Sequence, residues 1–140
     1  VNADVILADL QANWEYFHFG LDPDMLNEWP AMRLLRVQFD TQEIVEWPAF
    51  WLANGGQLHG GGMVALKWDP VWCRISAFGV PVAPFQVGSG YDLEDVDRDE
   101  AESFGLIRPR DRVPLVKYEF DPAALKVRIA ALLPPPCNRL

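Results

Sequence analysis

The sequence predicts a small α+β domain: a few short strands, antiparallel or mixed, among several short capped helices. Three observations carry that expectation. Half of the 140 residues are hydrophobic and six are tryptophan, too apolar a composition for a disordered chain. The apolar period switches between helical and alternating along the chain. Aspartate-proline pairs recur at the starts of apolar stretches, at Asp22-Pro23, Asp69-Pro70 and Asp121-Pro122, where an aspartate caps a helix and proline fits its first turn. The length suits one core that removes roughly 68% of the unfolded chain's surface from water. No internal repeat or linker divides it, so residues 1–140 read as a single domain.

From Asn2 to about Phe19, the residues Ile6, Leu10, Trp14 and Phe17 recur at helical spacing, with Gly20 as the stop. A short helix then follows Asp22-Pro23, carries Met25, Leu26 and Trp29, and ends at Pro30. Over residues 34–39, Leu35, Val37 and Phe39 alternate with Arg36, Gln38 and Asp40, the pattern of a half-buried strand. Asp40 and Glu43 have the spacing of a capping box that opens another helix, kinked or restarted at Pro48 and ended by Asn54-Gly55-Gly56. Five of the eight residues from Gly55 to Gly62 are glycine, so that backbone reads as loose or as turns with positive φ.

Met63 to Trp68 reads as a strand and Asp69-Pro70 as the start of a brief helix through Trp72. Residues 79–90, with Pro81, Pro84, Gly88 and Gly90, read as an extended loop. Asp97 and Glu100 cap a short helix closed by Gly105. Val113 to Phe120 reads as a strand that Pro114 suits to an edge, and Asp121-Pro122 launches a helix carrying Leu125, Ile129, Leu132 and Leu133, stopped by Pro134, Pro135 and Pro136.

Charge narrows the functional classes. Twenty acidic against twelve basic residues give a net charge of -8, a field that repels phosphate backbones and anionic membranes. The Arg108, Arg110, Arg112 cluster is broken by Pro109 and Asp111, has no aromatic stacking platform, and reads as a solvated connector. No apolar run approaches the roughly 20 residues that span a bilayer. Cys73 and Cys137 are too few and too far apart for a disulfide framework or a zinc pair.

Reactive constellations are incomplete. The run Asp92 to Glu102 holds seven carboxylates against Arg98. Asp95, Asp97 and Asp99 have the alternate spacing of a calcium loop, but Glu100 stands where glycine is needed and Leu106 where a bidentate glutamate is needed. The run reads as a solvated helix start and as a docking face for a basic partner. His18 and His59 show no metal-ligand spacing. Ser89 in Gly88-Ser89-Gly90 lacks a full nucleophile elbow, Cys73 beside Arg74 reads as a buried thiol, and the glycine clusters lack a phosphate loop's lysine. No catalytic residue, cofactor or metal is therefore assigned. The tryptophans read as core or as protein interface.

Taken in order, Leu58-His59-Gly60, then Asp69-Pro70-Val71-Trp72, then Pro84 ahead of Gly88 and Gly90, resemble the C-terminal part of phage Mu F-like minor head proteins. The run Val96 to Glu102, closed by Gly105-Leu106, is similar to the short helix that follows there, so the resemblance covers residues 58–107. Val71 stands where that family has an aromatic residue. Pro48-Ala49-Phe50 and Gly90-Tyr91-Asp92 stand where it has a second histidine and a cysteine-x-cysteine pair, so whatever those residues do in the family does not carry over. The resemblance implies a structural head protein, in the virion or host cytoplasm, that binds portal or capsid proteins and uses no cofactor. Trp68, Asp69, Trp72, Asp92, Glu94, Asp95, Asp97 and Asp99 are the candidate interaction residues. Two other classes fit the composition: an acidic module, such as an immunity protein or inhibitor that masks a basic enzyme, and a phage-associated toxin effector using His59, Cys73 or the acidic run.

Overall fold

The computed structural model describes residues 2–133. Its elements, in chain order, are helices α1 (Ala3–Phe19) and α2 (Pro23–Glu28), strand β1 (Ala31–Arg36), helix α3 (Trp47–Ala53), strands β2 (Leu58–His59) and β3 (Gly62–Leu66), helix α4 (Val71–Arg74), strand β4 (Tyr91–Val96), and helices α5 (Arg98–Ser103) and α6 (Pro122–Leu132). The strands form one antiparallel sheet in the order β2-β3-β1-β4, so the domain is α+β.

Side-chain caps start the helices where the sequence places them. Asn2 accepts the Val5 N–H, Asp22 that of Asp24, Asp97 that of Glu100, and Asp121 those of Ala123 and Ala124. Asp69 does the same for Val71 at 2.8 Å. Each cap satisfies an amide that the helix itself leaves without a partner. Gly105, at φ 75°, closes α5. The proline stop at 134–136 and Cys137 lie outside the described residues.

The sheet is covered on both faces. Met32, Leu34, Met63 and Ala65 point into the main core with Trp47, Trp51, Trp72 and the apolar stripes of α1 and α6. Ala31, Val64 and Val96 point the other way, into a smaller cluster with Ala101 of α5 and Ile107. Helices therefore pack on both sides of the sheet.

Four sequence expectations are corrected. Strand β1 begins at Ala31, directly after Pro30, and as one of the sheet's two inner strands it buries Met32 and Leu34, while Val37 and Phe39 are exposed. Alternation has period two, so starting earlier with the opposite parity exchanges the inward and outward sets. No helix starts at Asp40. The Glu43 carboxylate takes bonds from Ser89, Gly90, Thr41 and Trp47, and helix begins only at Trp47. Residues 113–120 lie outside the sheet as an extended strap, where Phe120 stacks on Trp14 at 5.1 Å and the Tyr118 hydroxyl donates to Lys67 O at 2.8 Å. That strap packs through side chains, and Pro114 has no amide to give a ladder. The first half of the acidic run is strand β4, not a solvated helix start. Residues 79–90 do form a loop, as expected, and it runs through the core, with Val80, Pro81, Val82, Ala83 and Phe85 buried.

The glycine-rich stretch is ordered by two requirements. His59 pairs with Gly62, and the two-residue turn between them holds Gly60 and Gly61 at φ 60° and 78°, the left-handed region a tight hairpin demands. Gly56 lies flat on the Trp51 indole, where a β-carbon would approach its ring to 2.4 Å.

Candidate functional site

A groove of about 750 Å³ lies between the C-terminal half of α1 with α2 on one side and β4 on the other. Tyr16, Phe19, Gly20, Met25 and Trp29 form the first wall, and Asp92, Leu93, Glu94 and Asp95 form the second. Buried Met32, Lys67, Val82 and Ala83 lie at its base. Asn13 ties α1 to that base by donating to Ala83 O at 2.7 Å.

Lys67 is the unusual residue. It continues the apolar run of β3 and is 3% exposed, an arrangement that costs heavily unless the ammonium is paired. Its Nζ lies 3.0 Å from Asp95 Oδ1. Asp95 Oδ2 accepts the Tyr16 hydroxyl at 2.8 Å, so one carboxylate joins β4 to both α1 and the end of β3. The ammonium also sits against Gly20, where a β-carbon would be 3.4 Å away. That places a cation beside the C-terminus of α1, its favoured end of the helix dipole. The bond to Asp95 and the negative charge beside it hold the Tyr16 phenol above its ordinary range.

Along the rim the aromatic side chains stay in water. Tyr16 and Phe19 are each 70% exposed and Trp29 is 38% exposed. Val37 continues the apolar surface past the end of β1. The charged side chains lining the groove are the Asp92, Glu94 and Asp95 carboxylates and the ammonium of Lys67. Asp95 is held by Lys67. Glu94 is shared with Arg33, which reaches it at 3.0 Å and also pairs with Glu100. Among the described residues, Asp92 makes only a local bond to the Leu93 N–H at 2.7 Å.

The eight candidate interaction residues do not form one patch. Asp92, Glu94 and Asp95 line the groove together. Asp97 is the cap of α5, and Asp99 sits exposed in its first turn. Trp72 is a correction: fully buried, it packs on Trp51 at 5.0 Å and donates its indole N–H to Leu66 O. Asp69 caps α4, and Trp68 is half-buried between the two apolar clusters. Sequence reasoning missed Lys67 and Tyr16. The signal for Lys67 was present, as a lysine inside the run Met63 to Trp68; the Tyr16 bond spans 79 positions and leaves no local trace.

The groups considered for nucleophilic or acid-base work are dispersed. His18 is exposed and stacks on Trp14 at 5.4 Å, and His59 leans on Phe104 at 5.6 Å. Burial pushes the Cys73 thiol up from its ordinary value, away from the reactive thiolate. Among the described residues no group of three histidine, cysteine, aspartate or glutamate side chains is placed to hold a metal ion. No helix of the described residues is long and apolar enough to cross a membrane.

Set against known protein families, curated proteins and solved structures, the chain matches none of them.

Proposed function

We propose that the protein is a binding module that docks a cationic protein segment in the groove between α1, α2 and β4. The observation that carries this reading is the composition of the groove: an apolar base and exposed aromatic rim on one side, with Asp92 and Glu94 on the other. Aromatic side chains supply contact area at low entropic cost, and rim carboxylates attract and orient a basic partner. The chain's net charge of -8 extends the same attraction beyond contact range.

The resemblance over residues 58–107 gives this module a setting, phage head assembly, in which the partner is a portal or capsid subunit. The acidic groove equally fits an immunity protein or inhibitor that covers a basic enzyme. One experiment tests the module and separates the two settings. A photo-crosslinking amino acid at Phe19 or Val37 is expected to capture a basic segment, and Asp92→Asn with Glu94→Gln to weaken that capture. The crosslinked subunit is a head protein in the first setting and an enzyme in the second. Capture unchanged by the double substitution, or obtained only from positions remote from the groove, refutes the assignment to this site.

A further inference from the structure

We infer, building on the groove reading, that the partner segment binds as an added β-strand along β4, its alternate residues basic and apolar. Among the described residues, strand β4 ends the sheet, with β1 as its one neighbour. Successive strand side chains point to opposite faces, so a single cavity touches Asp92, Leu93, Glu94 and Asp95 where it follows the strand's outer edge.

The hydrogen-bond phase shows what that edge offers. Val37 donates to Gly90 O at 2.8 Å. Continued through the register Leu35↔Asp92 and Arg33↔Glu94, this turns the backbone groups of Asp92 and Glu94 toward β1 and those of Tyr91, Leu93 and Asp95 outward. Two bonds agree with that phase. The Leu93 N–H is held by Asp92 Oδ1 at 2.7 Å and the Tyr91 N–H by Ser89 Oγ at 3.2 Å, side chains occupying places where a strand's carbonyls would sit. An incoming strand replaces them, and its own amides reach the outward carbonyls of Tyr91, Leu93 and Asp95. The displaced Asp92 carboxylate then becomes available to a partner lysine or arginine.

The two sides of the edge differ in chemistry, and this fixes the partner's pattern. Leu93 points to the main-core face, where Tyr16, Phe17 and Met32 provide apolar surface, and Asp92 and Glu94 point to the other face. A second copy of this chain is the wrong occupant. Pairing β4 with itself about Leu93 sets Asp92 against Glu94 on both sides of the two-fold, and like charges across strands are destabilising.

The test uses seven-residue peptides that alternate lysine or arginine with leucine, valine or phenylalanine, titrated into the 15N-labelled full chain. Each peptide is also made N-methylated at its odd residues or at its even residues. A strand presents only alternate amides to its neighbour, so one methylated series is expected to lose at least about tenfold in affinity and the other to change less than about twofold. The Leu93 and Tyr91 amides should gain hydrogen-exchange protection in the complex. Equal tolerance of both methylated series, with affinity still lowered by Asp92→Asn and Glu94→Gln, overturns strand addition and leaves groove docking standing. No binding by any alternating cationic peptide overturns both. Concentration-dependent dimers of the free chain with protected β4 amides identify the second copy as the occupant and also overturn the inference.

Discussion

Replacing Glu43 by alanine should destabilise the protein by about 3 kcal/mol, because this one carboxylate holds three segments together. Oε1 accepts from the Trp47 indole at 2.9 Å and from Ser89 Oγ at 2.7 Å; Oε2 accepts from Thr41 Oγ1 at 2.7 Å and the Gly90 amide at 3.0 Å. Bonds to a charged group contribute roughly 1.5–3 kcal/mol each when fully buried. The site is partly wetted, so water replaces some of what is lost and the sum of four is discounted. Burial alone would raise this carboxyl, but the bonds from Ser89, Gly90, Thr41 and Trp47 outweigh it and lower the pKa from 4.5 to about 2. That fall sets an upper limit of about 3 kcal/mol through proton linkage, in line with the discounted bonds. The folded-state pKa lies below the unfolded one, so this stabilisation is complete above about pH 4.5 and disappears as pH falls through about 2. Urea unfolding of the wild type and of Glu43→Ala and Glu43→Gln should show the gap closing over that window, and at pH 7 the alanine variant should melt about 10 °C lower. A gap below about 1 kcal/mol, or one that stays constant from pH 6 to pH 2, refutes the account.

Lys67→Met should cost about 3 kcal/mol, because it strands the Asp95 carboxylate, and adding Asp95→Asn should recover much of the loss in chemical denaturation; additive losses would mean that the pair is not coupled. Gly56→Ala should cost about 1–3 kcal/mol by pressing a methyl group into the Trp51 ring, and a melting temperature equal to that of the wild type would contradict the close approach. The Tyr16 phenol should ionise at higher pH than an ordinary tyrosine and move back down in Asp95→Asn, as read by NMR or by ultraviolet titration against Tyr16→Phe.

How much was legible in the sequence follows from the range of each interaction. Caps act over two or three residues, so Asn2, Asp22, Asp69, Asp97 and Asp121 could be identified without coordinates, as could the glycine stop at Gly105. The strand at 113–120 failed because alternation reports only that one side is buried. Val116, Tyr118 and Phe120 are indeed packed inward, yet against helix and loop surfaces instead of a neighbouring strand. Strand β4 was hidden for the opposite reason. Tyr-Asp-Leu-Glu-Asp-Val carries so much charge that local propensity points to a solvated turn, and it is paired by register with β1 and neutralised by Lys67 and Arg33, residues far away in sequence. The Asp40 and Glu43 spacing was real but ambiguous: Glu43 reached loop donors at Ser89 and Gly90, 46 and 47 positions on, and a helix start cannot compete with four bonds.

The same bonds divide the carboxylates of this chain into those that hold the fold and those that do not. Asp22, Asp69, Asp97 and Asp121 are engaged as caps, Glu43 by its four donors, Asp95 by Lys67 and Tyr16, and Glu100 by Arg33. Those carboxylates stabilise the fold and present little to a partner. Asp92 differs, because among the described residues its only bond is to the adjacent amide on the edge of the sheet, and that bond is the one an added strand would replace. Lys67 sharpens the contrast: by neutralising Asp95 it keeps the apolar side of the groove free of uncompensated charge, so that attraction for a cation falls, on the opposite side, to Asp92, beside the Glu94 that Arg33 shares. A partner with its basic and apolar residues on one side of the strand would meet either the aromatic wall or the acidic one incorrectly, and alternation is the pattern that satisfies both.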